Sequence, residues 1–203
     1  PLARVQMELE RELREADTES KEQVVYSSLL DEIARLSNIV EKLTLLSSSD
    51  SGKLQLSRGQ VDLSEMLENI SEDCKVMAAG RAVDVVIEEN VQVSGDAVLL
   101  EQALQNLSRN ALQHGSSEGQ MRFSLRTDIE GVWVQVANEG DPIGAEDQEK
   151  IFERFFQTDL SRSAHEGGVG LGLSLSREII RAHGGELRLK RSDEQWTIFE
   201  IRL

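Results

Sequence analysis

Two hydrophobic periods divide this chain of 203 residues, and the change from one to the other limits its possible folds more than any other feature. Leu29, Ile33, Leu36, Val40 and Leu43 recur at spacings of four, three, four and three, the heptad pattern of a helix with one apolar seam. Upstream, "PLARVQMELERELREA" puts Leu2, Val5, Leu9 and Leu13 on one helical face, and "DTESK", Asp17 to Lys21, reads as a short turn. The pattern predicts helices over 2–16 and 22–48. A helix pair cannot bury a shared seam alone, so residues 1–48 are expected to meet a second copy in a four-helix bundle. The alternative is packing of both helices on the rest of the chain.

"SSSDSGKLQLSRG", Ser47 to Gly59, breaks the helical pattern and is read as a linker, with residues 49–59 between the two regions. Beyond it the period alternates between 3.6 and 2. "DLSEMLENISEDCKVMAAG" predicts a helix capped by Asp62 and stopped at Gly80. "VDVVIEE" is strand-like, and Asp96 to His114 predicts a longer helix. "MRFSLRT" and "VWVQVA" flank "DIEG", and "ELRLKR" and "WTIFEIRL" flank "SDEQ", giving two hairpins. The fold class is therefore α+β: the helical hairpin, then over 60–203 a two-layer sandwich of five mostly antiparallel strands with helices on one face.

A formal net charge of −15 argues against non-specific binding to nucleic acid or to an anionic membrane surface, since both need basic surface. The single cysteine, Cys74, excludes an intrachain disulfide and is read as a buried small apolar residue. No apolar run approaches the length of a membrane span.

Three segments hold residues that a core does not require. In "LLEQALQNLSRNALQH", Leu100, Ala103, Leu104, Leu107 and Ala111 form the apolar face, while Asn106 and Asn110, four apart, project side by side. Their amide oxygens suit Mg²⁺ that already carries phosphate and water; two solvated amides are the alternative. "NEGDPIG" follows a strand directly, with Gly140 and Gly144 permitting close backbone approach and Asn138 able to donate to and accept from a purine edge. A plain turn is the other reading. "GGVGLGLSLSREIIRAHGG" opens a helix with Gly168, Gly170 and Gly172, which exposes backbone N–H groups at a positive helix end fit for phosphate, or else makes a flexible joint. Between these, "IFERFF" gathers Phe152, Phe155 and Phe156, a cluster that serves a core as readily as a site.

In this order and combination, the segments resemble the ATP-binding domain of sensor histidine kinases. "QNLSRNALQH" is similar to that family's N box, "NEGDPIG" to its first glycine box, "IFERFF" to its F box and "GGVGLGL" to its second glycine box; the helical hairpin resembles its dimerisation and phosphoacceptor domain. The resemblance implies ATP and Mg²⁺ as cofactors, with Asn110 as the metal ligand and Asn106 its phosphate-side neighbour. It implies that Asn138, Gly140 and Gly144 hold adenine and that Gly168, Gly170, Leu171 and Gly172 form a lid over the triphosphate. Arg154 would add positive charge, and His114 would stack on the base. It further implies transfer of the γ-phosphoryl group to a histidine and onward to a response-regulator receiver domain, a cytoplasmic location for this region, and an inner-membrane sensor as the full-length protein.

This sequence departs from the family's pattern in three places. Asn138 stands where aspartate is usual, and Pro142 where a second glycine is usual, the latter resembling the heavy-metal-sensing branch. Gln113 and His114 replace a common lysine and aromatic, at the expense of one phosphate contact. The phosphoacceptor motif is absent; Pro1 and Leu2 match its last two residues, so the histidine is expected just upstream, and the chain as given would bind ATP and dimerise without phosphorylating itself.

A rival is an ATPase of the gyrase, Hsp90 and MutL kind, which places a glutamate four residues before the metal-binding asparagine. Here that residue is Asn106, which cannot act as a base. A second rival is a non-catalytic dimeric scaffold with a decayed nucleotide site. Light scattering separates the expected organisation from its alternative: the whole chain should be a dimer and residues 60–203 alone a monomer, and a dimeric 60–203 fragment would contradict it.

Overall fold

A computed structural model describes residues 2–15, 21–78, 80–158 and 169–203, and the chain divides into two compact units, 1–50 and 51–203. In the first unit, α1 (Leu2–Glu15) packs against α2 (Lys21–Asp50). The expected turn at Asp17 lies outside the described residues, and Lys21 already belongs to α2. Helix α2 also runs through the serines read as the start of a linker. The Ser48 hydroxyl donates to the Thr44 carbonyl at 2.9 Å and Thr44 to that of Val40 at 2.8 Å, so these side chains are satisfied inside the helix and do not stop it. Of the heptad residues, Ile33 is buried, whereas Leu29, Leu36, Val40 and Leu43 remain exposed.

The second unit runs β1 (Gly59–Asp62), α3 (Leu63–Met77), β2 (Val83–Ile87), β3 (Gln92–Gly95), α4 (Ala97–His114), β4 (Met121–Asp128), β5 (Gly131–Asn138), a 3-10 turn (Lys150–Phe152), α5 (Gly172–Ala182), β6 (Glu186–Ser192) and β7 (Thr197–Arg202). The main sheet has the order β2-β4-β5-β7-β6, antiparallel except for the β2–β4 pair. The five expected strands are these. Strands β1 and β3 form an additional antiparallel ribbon that was not expected, because four residues each are too few to display alternation. In β6 the register shifts between Leu189 and Arg191.

Helices α3, α4 and α5 cover one face of the sheet. Met121, Phe123 and Leu125 of β4 point into that layer beside Val134 and Val136 of β5 and Phe199 of β7, all buried. By the same alternation Asn138, two residues past Val136, faces the helices. Asp62 accepts the Glu65 N–H at 3.0 Å and caps α3 as its sequence position suggested; two residues past the Ala78 C-cap, Gly80 takes a φ of +93°. Cys74 is buried on α3, and burial pushes its thiol pKa up.

Among the described residues of this unit, the opposite face is finished in charge. Arg126, Arg188 and Arg202 surround the Trp133 ring at 5.0, 5.8 and 5.9 Å from its centroid. Glu200, only 2% exposed, accepts from Arg188 and Lys190 at 2.6 Å each and from Gln135 at 2.5 Å. Burial alone would raise the Glu200 pKa, but the bonds from Lys190, Arg188 and Gln135 outweigh it and leave the carboxyl below its ordinary 4.5. A depressed pKa stabilises the fold above the unfolded value, and that contribution is lost as pH falls through the folded value. Glu200→Gln should cost about 1.5–3 kcal/mol at pH 7, the range for hydrogen bonds to a charged group. In thermal unfolding followed from neutral to acid pH, the gap to the parent should narrow once the pH drops below the carboxylate range; a gap constant with pH would contradict this account.

Candidate functional site

Helix α4 carries the two asparagines. Asp96 starts it by accepting the Leu99 N–H at 3.2 Å, and Leu100, Ala103, Leu104, Leu107 and Ala111 bury one face as the sequence pattern requires. Asn106 and Asn110 sit half-buried at the margin of that face. The Nδ2 of Asn106 is buried and has no hydrogen-bond partner. A solvated amide does not fit that observation, since a buried unpaired donor costs about 1–3 kcal/mol.

The glycine-rich entry of α5 lies directly against this amide. A Cβ on Gly172 would stand 3.9 Å from both Cγ and Oδ1 of Asn106. Further along α5 the Ser176 hydroxyl lies 3.0 Å from the Gly172 carbonyl and 3.3 Å from that of Ala103 on α4, which holds the two helices together. Leu171, the residue before the helix, is buried, and no side chain caps the first turn. Among the described residues the first turn of α5 thus has no N-cap side chain on its N–H groups, an arrangement that receives anions at helix starts. Gly170 has a φ of +74°, and a Cβ on it would lie 2.7 Å from the Phe156 carbonyl oxygen. Its own carbonyl accepts the Phe155 N–H at 2.8 Å. At this position glycine serves a fixed, crowded backbone and not a loose joint. Gly168 lies outside the described residues.

The other end of α4 meets the loop after β5. Asn138 is 2% exposed at the end of β5, flanked by Met121 and Thr197. A Cβ on Gly140 would lie 2.5 Å from the His114 carbonyl oxygen and 3.2 Å from Nδ2 of Asn138, so the loop touches the helix end with no space for a side chain. The Glu139 carbonyl accepts from Ser116 at 2.8 Å, and the Ile143 N–H donates to the Ser192 hydroxyl at 2.8 Å, anchoring the loop at both sides. Gly144 is exposed one residue further on, where its carbonyl accepts from Asp147 and Gln148 and starts the next turn.

Gln113 and His114 occupy the exposed last turn of α4. Desolvation by the surrounding protein lowers the His114 pKa, which keeps the ring neutral at pH 7. Arg154 borders an open surface depression beside α5, shared with Phe152, Ser174, Arg177 and Arg181. Phe152 is partly core, edge-on to Phe199 at 6.2 Å, with the Arg177 guanidinium 5.0 Å above its ring; Phe155 is exposed. The structure thus brings Asn106, Leu171 and Gly172 together at mid-α4, and Asn138, Gly140 and His114 together at its end.

Sequence reading passed over Arg81, which ties the end of α3 to the end of α4. Its guanidinium donates to the carbonyls of Leu112 at 3.0 Å, Ala78 at 3.3 Å and Gly115 at 3.4 Å. A cation on the last carbonyls of a helix satisfies orphan acceptors and opposes the negative dipole end. The only trace of this in the sequence is an arginine immediately after the glycine that follows α3.

A family model described as "Histidine kinase-, DNA gyrase B-, and HSP90-like ATPase" matches residues 95–203, which covers α4, the β5 loop and α5. The probable sensor protein PcoS of Escherichia coli is 30% identical over 204 residues, spanning all of this chain and 43% of PcoS. The probable sensor histidine kinase TcrY of Mycobacterium tuberculosis is 34% identical over 205 residues, again across the whole chain and 42% of TcrY. The chain therefore spans less than half the length of these curated relatives. The solved Acinetobacter baumannii histidine kinase AdeS shares the fold with a TM-score of 0.73 at 22% identity, covering 100% of this chain and 94% of that one. Taken with the convergence of three motif segments on α4, these likenesses establish that the chain belongs to the histidine kinase-, DNA gyrase B- and HSP90-like ATPases, and within them to the catalytic region of sensor histidine kinases.

Proposed function

We propose that residues 60–203 bind Mg·ATP and present its γ-phosphoryl group to a histidine carried by a longer form of this protein, from which it passes to an aspartate of a response-regulator receiver domain. The observation that supports this most is the Asn106 side chain, whose buried Nδ2 has no hydrogen-bond partner and whose Cγ and Oδ1 lie against Gly172 in the first turn of α5. A donor left unpaired there has a natural acceptor in a phosphate oxygen, and the adjacent backbone N–H groups supply more.

In this reading Asn110 is the metal ligand. Among the described residues no group of three His, Cys, Asp or Glu comes together to hold an ion, so a divalent cation here relies on amide oxygen supplemented by phosphate and water. Bound Mg²⁺ would supply charge neutralisation of the triphosphate, and the chain's own contribution is positioning. Asn138 accepts from the adenine amino group through its carbonyl and donates through its amide. Gly140 and Gly144 give the base a close backbone shelf, while neutral His114 offers a stacking face and Gln113 a polar edge. Leu171 fixes the helix start so that Gly170 and Gly172, with Gly168 before them, approach the phosphates. Arg154, with Arg177 and Arg181, adds positive charge on the outer side of α5. Asn106 stands where a water-activating base would be needed for hydrolysis, and an amide cannot take that proton, which favours transfer over ATP turnover.

Residues 1–48 serve as the dimerisation hairpin, with 49–59 joining it to the ATP-binding domain. The exposure of Leu29, Leu36, Val40 and Leu43 in the single chain supports this, because such a seam is stable only when covered. Among the described residues no helix is long and apolar enough to cross a membrane.

Asn110→Ala should abolish Mg²⁺-dependent ATP binding in calorimetric titration while leaving the circular dichroism spectrum and thermal midpoint near those of the parent. Undiminished affinity in that variant would remove Asn110 from the site.

A further inference from the structure

The two helices that hold the candidate site are antiparallel, and a contact at their far ends fixes their register. The end of α5 reaches the start of α4, where the Nε2 of His183 accepts the Asp96 N–H at 2.9 Å. The other ring nitrogen, Nδ1, lies 2.8 Å from the Ile179 carbonyl. A carbonyl only accepts, so Nδ1 carries the proton and Nε2 the lone pair: both bonds exist together only in that neutral tautomer. Gly95 makes room for the ring, since a Cβ on it would lie 2.8 Å from Cδ2 of His183 and 2.7 Å from Leu100.

Asp96 is a junction of three segments. Its Oδ1 caps α4 at Leu99, its N–H is held by His183, and its Oδ2 accepts the Ser57 N–H at 2.9 Å. Arg58, the next residue, donates to the Ala182 carbonyl at the end of α5, at 3.4 Å. The stretch leading into β1 is therefore fastened to the start of one site helix and the end of the other.

Ten residues separate Asp96 from Asn106, and eleven separate Gly172 from His183. At a rise of about 1.5 Å per residue these are matched lengths of roughly 15 and 16 Å. Fixing His183 on Asp96 therefore fixes Gly172 on Asn106, with the Ser176 to Ala103 bond midway. We infer that Asp96 and His183 are positioning residues for nucleotide binding, setting the register of α5 on α4, and that the Ser57–Arg58 stretch acts on the site through them. Neither touches the ligand in this account, which rests on the reading of the α4–α5 cleft as the nucleotide site.

The test compares His183→Ala, His183→Gln and Asp96→Asn in the 203-residue chain, titrated with Mg·ATP by calorimetry alongside thermal unfolding. Glutamine places an acceptor oxygen near the position of Nε2, so it should recover the Asp96 bond. His183→Ala should weaken Mg·ATP binding about tenfold, the equivalent of one hydrogen bond, and His183→Gln should return it to within about threefold of the parent. Asparagine at 96 remains a good helix cap but has one acceptor oxygen in place of two, so Asp96→Asn should lose the Ser57 contact and weaken binding severalfold with little change in melting. Parent-like affinity in His183→Ala, or equal weakening by alanine and glutamine, would overturn the inference. A parent chain that binds no Mg·ATP would refute the nucleotide reading itself, and the junction would then be decided by amide hydrogen exchange at residues 174–176. Faster exchange there in the alanine variant, reversed by glutamine, supports it, and unchanged exchange overturns it.

Discussion

Helices α4 and α5 touch at both ends and in the middle, and a slip of a single residue, about 1.5 Å along the axis, would carry Gly172 off the Asn106 amide. Most of the second unit can be understood as support for that register. Arg81 grips the last carbonyls of α4, Asp96 its first N–H groups, and the loop after β5 closes on His114 with no space for a side chain at Gly140. The glycines of the α5 entry belong to the same scheme. Gly170 lets its backbone approach the Phe155–Phe156 turn at a distance that a Cβ would forbid, and Gly172 lies in contact range of the Asn106 amide.

The parts of the candidate site that were legible in the sequence are those whose chemistry conflicts with their surroundings. Two asparagines at helical spacing beside an apolar stripe, and glycines at the front of a well-patterned helix, are poor choices for stability and so stand out. The strands of the main sheet were legible from alternation over five to eight residues. What was illegible depended on partners distant in the chain. Strands β1 and β3 are each four residues long and acquire their identity only from one another. The serines at the end of α2 carry a linker's composition, yet the Ser48 hydroxyl bonds back to the Thr44 carbonyl in the preceding turn. Arg81 and His183 are single residues whose partners lie some 31 and 87 positions away.

The charge of the chain is also distributed in a way that composition conceals. Its overall −15 gave no reason to expect cations gathered on β4, β6 and β7. Arg122 stacks over Trp196, Arg126, Arg188 and Arg202 gather around Trp133, and Lys190 joins Arg188 on the buried Glu200. Their aliphatic stems cover the sheet where a second layer of helices would otherwise be required, while their heads stay solvated.

The irregularity in β6 has a bearing on how copies of this molecule can meet. β6 is the outermost strand of the sheet on its side, and the unpaired N–H and C=O groups of such a border are a template onto which a foreign strand can add. The displaced register between Leu189 and Arg191, together with the cations Arg188, Lys190 and Arg191, bends and charges that border so that it offers no flat run for another chain. An edge of this kind disfavours the addition of another strand.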